Sequence, residues 1–473
     1  MSTGDLSLSP DAETGEPLLE VRNLKKYYDA GNLFGPDPVK AVDGVSFDIR
    51  KGETLGLVGE SGCGKTTLGR TILNLETATE GAVTADGTDV TSLSGDQLRK
   101  WQRNAQMVFQ DPDSSLNDRM TVGELVREPM DAHDYMEPGA RRQRVFDLLE
   151  QVGLQEEHYY RYPHQFSGGQ RQRVGIARAL ALEPEFVVLD EPVSALDVSV
   201  QARIINLLED LQAELELTYL FIAHDLSVVR HIADRVAVMY LGNVVELGDT
   251  EDVYTDPAHP YTVSLLSAIP GSTGSDRDRI TLRGTPPNPR DPPAGCSFAT
   301  RCPAKVRPAE YDLPGHAWEG IDELYAVFRA REQEETGGLL EGLKRRLGAD
   351  PEDDLREVLV DTFDAKRAGA GAGDGPRTNG DAPGADSAAD SSLREQVTLP
   401  MSDDASAVVF DAVDRARRGD DAAAMELLRT EFGSVCDETE PEPREVGDGR
   451  RSRCVRHDDG YDEPAPVIAK RSD

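Results

Sequence analysis

The sequence predicts an α/β fold with a largely parallel sheet. From Pro17 to about residue 268, short runs rich in Val, Ile and Leu alternate with segments of helical periodicity, which is typical of a parallel sheet covered by helices. The chain has 473 residues, enough for about two to four domains at roughly 100–200 residues each. A Pro-rich stretch, Gly284–Pro293, then interrupts the pattern. We therefore expect an α/β domain followed by at least one further region.

The individual elements follow from local patterns of apolar residues. Strands are predicted at Leu18–Val21, Val45–Ile49, Thr54–Val58, Ala105–Phe109, Phe186–Leu189, Tyr219–Ala223, Val236–Tyr240 and Val244–Leu247. Helices are predicted at Lys65–Leu75, Ala140–Val152, Gly168–Leu182, Val198–Glu214 and Leu226–Ala233. Antiparallel pieces are expected near the start of the chain and at Gly242-Asn243, between the last two strands.

Beyond the Pro-rich stretch the pattern changes. Leu339–Leu347 and Leu355–Phe363 have the periodicity of amphipathic helices, and Val408–Val435 is predicted to be helical as well. Ala368–Ser392 consists of Gly, Ala, Asp and Ser with almost no large apolar residue, so it is predicted to be a flexible linker.

The charge balance excludes some classes of partner. Asp and Glu number 87 against 51 Lys and Arg, a net charge of −36. A sequence-independent nucleic-acid binder needs a basic surface, so we expect no nucleic acid, and an anionic lipid surface is disfavoured for the same reason. Because the acidic residues run along the whole chain, we interpret them as an adaptation to a cytoplasm at very high salt, where self-repulsion is screened; an acidic mesophilic protein is the alternative.

The sequence also indicates where the protein resides. No window reaches 18 apolar residues, so no membrane-spanning helix is expected. The first 17 residues are polar and lack the pattern of a secretory signal. Five cysteines in so long a chain do not make a disulfide scaffold. We expect a cytosolic protein.

A glycine-rich motif predicts a phosphate site. Directly between the strand Thr54–Val58 and a helix, the chain fits G-x-x-x-x-G-K-[ST], the P-loop. Backbone N–H groups of such a loop surround phosphates at a helix N-terminus. Lys65 is placed to bridge the β- and γ-phosphates of a nucleotide, Thr66 to ligate Mg²⁺, and Cys63 to fill space within the loop. The predicted phosphate-binding residues are Gly59, Glu60, Ser61, Gly62, Cys63, Gly64, Lys65, Thr66 and Thr67.

An acidic pair follows a buried strand. Phe186–Leu189 ends in Asp190-Glu191, and a carboxylate at the carboxyl end of a parallel strand points into the ligand crevice. We expect Asp190 to hold Mg²⁺ and Glu191 to polarise the attacking water. With the P-loop, the pair predicts hydrolysis of a nucleoside triphosphate; a mere turn at the strand end is the alternative.

A further motif carries a family resemblance. Phe166–Arg173, which contains Ser167, Gly168, Gly169 and Gln170, resembles the signature motif of ABC-type ATPases. In that family the motif contacts the γ-phosphate held by the opposite subunit, so the resemblance implies an active site completed only in a dimer. It also implies a RecA-like P-loop NTPase core with an antiparallel β subdomain and a helical subdomain.

Other family positions occur in the family's order. Gln110 resembles the Q-loop glutamine, which senses the γ-phosphate, contacts Mg²⁺ and links to the membrane subunit. Asp197, in Ser194–Asp197, resembles the D-loop at the dimer interface, and His224 resembles the switch histidine. Tyr28 resembles the aromatic residue that stacks on adenine, with Tyr27 as the alternative register. By this resemblance Glu191, His224, Lys65 and Gln110 are the catalytic residues.

The resemblance extends to one branch of the family. Residues 114–124 and 191–199, and His259-Pro260-Tyr261-Thr262, resemble the oligopeptide/dipeptide (peptide/nickel) importer branch. Gly284-Thr285-Pro286-Pro287 through Cys302-Pro303 is similar to that branch's C-terminal extension. The resemblance implies an ATPase that drives di- or oligopeptide import, in a haloarchaeal-like form; nickel or another solute is an alternative.

In relatives this extension carries four cysteines. Cys296 and Cys302 match the first pair, whereas no cysteine stands near residue 308, where the third is expected. Cys436 and Cys454, near the end of the chain, have a separation that suits the third and fourth cysteines. We interpret the residues between as an insertion. Family analogy favours a [4Fe–4S] cluster; Zn²⁺ and buried thiols without metal are the alternatives.

These observations predict a domain plan and an assembly. A disordered N-terminus (1–17) precedes an ATPase domain (18–268), whose helical subdomain spans about 110–180. The C-terminal extension begins at 269–310 and ends at 431–473. Between these two parts lies an acidic helical insertion (311–430) with a linker at 368–400. The resemblance implies ATP and Mg²⁺, a second ABC ATPase subunit, two integral-membrane permease subunits, an extracytoplasmic solute-binding protein and a location at the cytoplasmic face of the membrane. A non-transport ABC ATPase acting on DNA or ribosomes, and a regulatory ATP-binding module, are the alternatives.

Overall fold

The computed structural model describes residues 17–29, 37–269, 285–336, 397–447 and 449–472, together with 280, 282, 359, 363, 366 and 367. The chain divides into two compact units. Unit 1 holds residues 1–282, 286–292 and 441–472, and unit 2 holds 283–285, 293–440 and 473. The predicted disordered N-terminus, except Pro17, and the predicted helix Leu339–Leu347 lie outside the described residues.

Unit 1 is built on two sheets. One has four strands in the order β2-β1-β4-β5, and the other has eight in the order β13-β14-β10-β9-β3-β8-β7-β6. Their strands are β1 (Pro17–Tyr28), β2 (Val39–Arg50), β3 (Thr54–Val58), β4 (Glu80–Ala85), β5 (Thr88–Asp89), β6 (Ala105–Val108), β7 (Phe186–Asp190), β8 (Thr218–Ala223), β9 (Arg235–Tyr240), β10 (Asn243–Asp249), β13 (Arg444–Glu445) and β14 (Arg451–Ser452).

The larger sheet confirms the predicted α/β class. β9, β3, β8, β7 and β6 pair in parallel, and every residue of β3, β7 and β8 is buried. Because both faces of these strands are covered, their sequences are nearly continuous apolar runs, which made them predictable. Parallel pairing brings the carboxyl ends of β3, β6, β7 and β8 to one edge of the sheet.

The smaller sheet is antiparallel throughout, as expected near the start of the chain. Its strands β4 and β5 were not predicted. β4 has the sequence Glu-Gly-Ala-Val-Thr-Ala, with one large apolar side chain, so neither alternation nor an apolar run marks it. The predicted hairpin between β9 and β10 is present, and both Leu241 (φ 45°) and Gly242 (φ 81°) have the positive φ that a type I′ turn requires.

Helices cover the sheets of unit 1, and two of the longer ones were missed. α4 (Val122–Ala132) begins with a capping box between Thr121 and Glu124 but contains Pro129, a residue disfavoured inside helices. α2 (Gly95–Asn104) is polar along most of its length and buries only Trp101. The helices are α1 (Lys65–Ile72), α2 (Gly95–Asn104), α3 (Pro112–Ser115), α4 (Val122–Ala132), α5 (Pro138–Gln151), α6 (Gly168–Ala179), α7 (Val198–Leu215), α8 (Leu226–Ile232), α9 (Thr250–Thr255), α10 (Pro260–Ser267) and α15 (Pro464–Ser472).

Unit 2 is mainly helical in its described part. α11 (Gly315–Thr336), α12 (Asp403–Arg417) and α13 (Asp421–Phe432) pack around one apolar cluster, and α14 (Val435–Glu438) follows. Most of Val408–Val435 is helical as predicted, but it is divided between two helices, because Gly419 adopts a left-handed φ of 81° and Asp420 caps a new helix.

The linker predicted at 368–400 lies largely outside the described residues. Within its described end, Val397–Thr398 forms β12, which pairs with β11 (Lys366–Arg367). Of the predicted helix Leu355–Phe363, only Leu359 and Phe363 are described, and both are buried in the cluster of unit 2.

A buried carboxylate in unit 1 organises the turn before α10. Glu246 of β10 is almost fully buried. Its two oxygens accept hydrogen bonds from the N–H groups of Ala258 and His259, both at 2.8 Å. Burial raises the pKa of Glu246 to about 6, so near pH 7 the carboxylate is mostly ionised. The turn therefore depends on a charged acceptor inside the fold.

We predict that Glu246→Ala lowers the free energy of unfolding by about 1–3 kcal/mol, because two buried N–H donors lose their acceptor. The control is Glu214→Ala, which truncates an exposed side chain on α7 and should change stability by less than about 0.5 kcal/mol. Urea unfolding at pH 7 measures both values. Equal stability of the two variants would contradict this role of Glu246.

Candidate active site

The P-loop connects β3 to α1 as predicted, and its backbone is tightly packed. A side chain at Gly59 (φ 155°) would approach the carbonyl oxygen of Met239 to 2.1 Å, and one at Gly64 (φ 107°) would approach that of Ala41 to 1.9 Å. Only glycine therefore fits at these two positions. The loop is consequently held close to the end of β9 and to β2.

Lys65 is buried at the first position of α1. Its ammonium group donates hydrogen bonds to the carbonyl oxygens of Gly59 at 2.9 Å and Glu60 at 3.1 Å. The positive charge thus lies within the loop, at the positive end of a helix, where it favours an anionic ligand. Cys63 in the same loop is buried, and burial raises the pKa of its thiol, which suits a packing residue.

Two of the three predicted Mg²⁺ ligands, Thr66 and Asp190, are in direct contact. The hydroxyl of Thr66 donates to Oδ1 of Asp190 at 2.9 Å. Burial raises the pKa of Asp190, and the hydrogen bond from Thr66 opposes that rise. Both side chains offer the hard oxygen ligands that Mg²⁺ prefers. The residues present therefore fit a Mg²⁺ site.

Glu191 is the centre of a small hydrogen-bonded group. One of its oxygens, Oε2, accepts from Nε2 of Gln110 at 2.9 Å and lies 3.1 Å from Nδ1 of His224. Three residues predicted to act together, which are up to 114 positions apart in the sequence, thus lie in direct contact. Gln110, predicted also as a Mg²⁺ ligand, uses its amide nitrogen for this contact.

The backbone of Glu191 is unusual. Its φ is 45°, a left-handed conformation that is costly for a residue with a side chain. Its N–H group donates to the carbonyl of Ile222 on β8 at 2.9 Å. The chain therefore turns sharply after Asp190, and the two adjacent carboxylates have different environments: Asp190 is buried beside Thr66, whereas Glu191 is half-buried beside Gln110 and His224.

The signature residues form the start of α6. Ser167 caps this helix and forms a capping box with Gln170. A side chain at Gly169 would approach Cγ1 of Val200 to 2.5 Å, so α6 packs closely on α7, which Asp197 caps. Hydrogen bonds from Ser199 and from the N–H of Val200 lower the pKa of Asp197. The signature turn, which includes Gly168, and the predicted D-loop are thus neighbours.

The two aromatic candidates for adenine stacking differ in environment. The hydroxyl of Tyr27 donates to the carboxylate of Asp43, whereas the Tyr28 ring is exposed, with the ammonium group of Lys26 4.8 Å from its centre. The accessible ring is the one expected to stack on a base, so the geometry favours Tyr28.

Sequence reasoning missed one contact to the P-loop. The N–H group of Glu60 donates to the hydroxyl of Tyr261 at 2.9 Å. Tyr261 belongs to the motif His259-Pro260-Tyr261-Thr262, 201 positions from Glu60 in the chain, and no local pattern links it to the loop.

The predicted cysteine site is not supported. Among the residues that the structure describes, which include all four cysteines, no group of three or more His, Cys, Asp and Glu side chains is placed to hold a metal ion. Cys296 and Cys436 do come together, but through a backbone hydrogen bond of 2.8 Å. Cys302 belongs to the same unit, whereas Cys454 belongs to unit 1. The residues do not fit the expected iron–sulfur cluster or Zn²⁺.

The described part of the chain contains no helix that is both long and apolar enough to cross a membrane.

Family models match three regions of the chain. The model for "ABC transporter" matches residues 42–194, and the model for "Oligopeptide/dipeptide transporter, C-terminal region" matches residues 245–308. A domain of unknown function, DUF8228, matches residues 315–449. The first model thus includes the P-loop and the acidic pair, and the second includes Tyr261.

Curated relatives are similar over most of their own length. The putative oligopeptide transport ATP-binding protein YkfD of Bacillus subtilis is 57% identical over 61% of this chain and 88% of that protein. The oligopeptide transport ATP-binding protein AppF of the same organism is 55% identical over 64% of this chain and 94% of that protein. A putative peptide import ATP-binding protein of Brucella ovis is 51% identical over 64% of this chain and 94% of that protein.

We predict that Glu191→Gln abolishes ATP turnover but leaves ATP binding intact, because the amide keeps the shape of the side chain and cannot take a proton from water. The matched control is Glu185→Gln, which neutralises a carboxylate just before the other end of β7. Phosphate release measures turnover, and equilibrium titration with Mg-ATP measures binding. Unchanged hydrolysis in Glu191→Gln would refute the assignment of the base.

Proposed function

Because the chain belongs to the ATP-binding proteins of the oligopeptide and dipeptide ABC transporter family, we propose that it is the ATP-hydrolysing subunit of an importer of di- or oligopeptides. The observation that carries the proposal is the convergence of Lys65, Thr66, Asp190 and Glu191 at one edge of the parallel sheet. The match of residues 245–308 to the C-terminal region of oligopeptide/dipeptide transporters supports the substrate class.

The proposal gives each of these residues a task. Lys65 and the N–H groups of the loop bind the β- and γ-phosphates. Thr66 and Asp190 would hold Mg²⁺, which would supply positive charge to the phosphates. Glu191 accepts a proton from the attacking water. Gln110 and His224 both contact one oxygen of Glu191, so they hold the base in position. These contacts change when Gln110 and His224 respond to the γ-phosphate.

The signature turn has a different partner. Its N-terminal N–H groups are suited to an anion, and we propose that Ser167 and Gly168 complete the ATP site of an opposed ATPase subunit, either a second copy or a related chain. Closing and reopening of this pair would move two integral-membrane permease subunits, with an extracytoplasmic solute-binding protein delivering the peptide. The subunit would then lie at the cytoplasmic face of the membrane.

We further propose that residues 311–430 are an insertion within the C-terminal extension, behind an ATPase domain at 18–268. The segments before and after it meet, because the N–H of Cys296 donates to the carbonyl of Cys436 at 2.8 Å. An ion pair also joins these two segments, because the ammonium group of Lys305 lies 2.9 Å from Asp437 on α14.

We predict that deletion of the gene for this chain abolishes uptake of labelled di- or oligopeptides in cells that carry the other transporter subunits. Restoration by the wild-type chain, and not by Glu191→Gln, is expected, since transport requires hydrolysis. Uptake of nickel and of a sugar in the same cells is the control for substrate class. If only nickel uptake is lost, the substrate is a metal ion and not a peptide. Unchanged uptake of every solute would contradict a role in import.

A second proposal concerns the acidic composition, which we interpret as a halophilic, haloarchaeal-like adaptation. At a net charge of −36, self-repulsion is strong at low ionic strength, and the Debye length falls from about 10 Å at 0.1 M to about 3 Å at 1 M salt. Screening should therefore stabilise this chain more than it stabilises a protein of balanced charge.

We predict that the melting temperature rises by roughly 10 °C or more between 0.1 and 2 M KCl, an effect equivalent to a few kcal/mol. Sucrose at matched osmolality is the control, because it strengthens burial without screening charge. A melting temperature that does not change with KCl, or that rises equally in sucrose, would contradict the adaptation.

A further inference from the structure

The C-terminal segment, Pro441–Ser472, belongs to the same compact unit as the P-loop. Its strands β14 and β13 extend the edge of the larger sheet, with Ser452 opposite Glu246 of β10. The N–H of Arg453 adds a hydrogen bond of 2.8 Å to the carbonyl of Val245, and α15 packs against α10. The segment is thus built onto the strand and the helix that flank the turn before α10.

Two histidines connect this segment to the turn. Nε2 of His457 lies 3.2 Å from the carbonyl oxygen of Ala258 and 3.1 Å from the hydroxyl of Ser452. The ring of His259 is hydrogen-bonded to the backbone of Arg453. The position of the turn therefore depends on residues that lie about 200 positions later in the chain.

From the turn, the contacts continue to the P-loop. Nδ1 of His259 accepts a hydrogen bond from the N–H of Tyr261 at 3.1 Å, and burial lowers the pKa of His259 to about 3, so this nitrogen stays an acceptor at neutral pH. The fully buried ring of Tyr261 packs on Tyr240, with centres 4.7 Å apart. Its hydroxyl accepts a hydrogen bond from the N–H of Glu60 at 2.9 Å.

Hydrogen bonds on both sides restrain the peptide group between Gly59 and Glu60. The N–H of Glu60 and the carbonyl of Gly59 belong to one planar peptide unit. The hydroxyl of Tyr261 holds the N–H side, and the ammonium group of Lys65 donates to the carbonyl side at 2.9 Å. Rotation of this plane would move the oxygen that orients Lys65, the residue that binds the phosphates.

We propose that Tyr261 is a positioning residue for the P-loop, and that the C-terminal segment sets the affinity for ATP through it. The proposal rests on the proposed function, in which this loop binds ATP. The hydroxyl of Tyr261 touches no phosphate; it limits the orientations of the loop, so that less conformational freedom is lost when ATP binds.

The first test measures equilibrium binding of Mg-ATP in the full chain that carries Glu191→Gln, where hydrolysis does not interfere. Tyr261→Phe in this background removes the hydroxyl and keeps the packing on Tyr240, and we expect the Kd for ATP to rise about three- to tenfold, as for loss of one hydrogen bond. The control is Tyr219→Phe, which removes another buried hydroxyl, bonded to the carbonyl of Leu208 at 3.1 Å, and should leave the Kd unchanged.

The second test addresses the C-terminal segment with a double-mutant cycle. His457→Phe removes the contacts to Ala258 and Ser452, and we expect it to raise the Kd for ATP several-fold in the chain with Tyr261. In the chain that carries Tyr261→Phe, the fold increase in Kd caused by His457→Phe should be at least halved. We expect this because His457 acts on the P-loop through the hydroxyl of Tyr261. His457→Phe alone also tests the proposal if Tyr261→Phe does not fold, which thermal unfolding reports.

The outcomes separate this inference from the proposed function. A chain carrying Glu191→Gln that binds no ATP would overturn the proposed function. Normal binding with the same Kd in Tyr261→Phe would overturn the positioning role alone. Equal effects of His457→Phe with and without the hydroxyl of Tyr261, or no effect in either chain, would overturn the link to the C-terminal segment.

Discussion

Parallel pairing of β3, β8 and β7 is the constraint on which the site depends. The register places Val58 opposite Ala223, and Asp190 opposite Ile222, so the P-loop, His224 and the acidic pair all lie where these strands end. β6 pairs with β7 and brings Gln110 to the same edge. A slip of two residues in the pairing of two strands would move a side chain at this edge by roughly 7 Å, far beyond the reach of the hydrogen bonds that join Gln110, Glu191 and His224.

At this edge, two adjacent carboxylates have different surroundings, which suit the separate roles proposed for them. Asp190 is buried and bonded to the hydroxyl of Thr66, which suits a metal ligand. The left-handed backbone at Glu191 turns its carboxylate to Gln110 and His224 instead. Strain of this kind persists only where the surrounding structure holds it, and the N–H bond from Glu191 to β8 supplies part of that restraint.

The sequence predicted the parts of the fold that local patterns encode. β3, β7 and β8 were found because strands buried on both faces are apolar throughout, and the P-loop because its chemistry needs a fixed spacing. β4 was missed because it has a single large apolar side chain, Val83, and α4 because it contains Pro129, a residue disfavoured inside helices. The contact of Tyr261 with the P-loop could not be predicted, since it is created by tertiary packing across 201 positions, and the metal site expected at the cysteines came from analogy alone.

Hydrogen exchange with and without Mg-ATP, on the full chain carrying Glu191→Gln, tests most directly whether this edge of the sheet is the nucleotide site. The account predicts that ATP slows exchange of the amides in the P-loop and the first turn of α1, and of those that follow β6, β7 and β8. The smaller sheet should change only near Tyr28. Exchange that is unaffected at the P-loop, or protection confined to unit 2, would contradict the account.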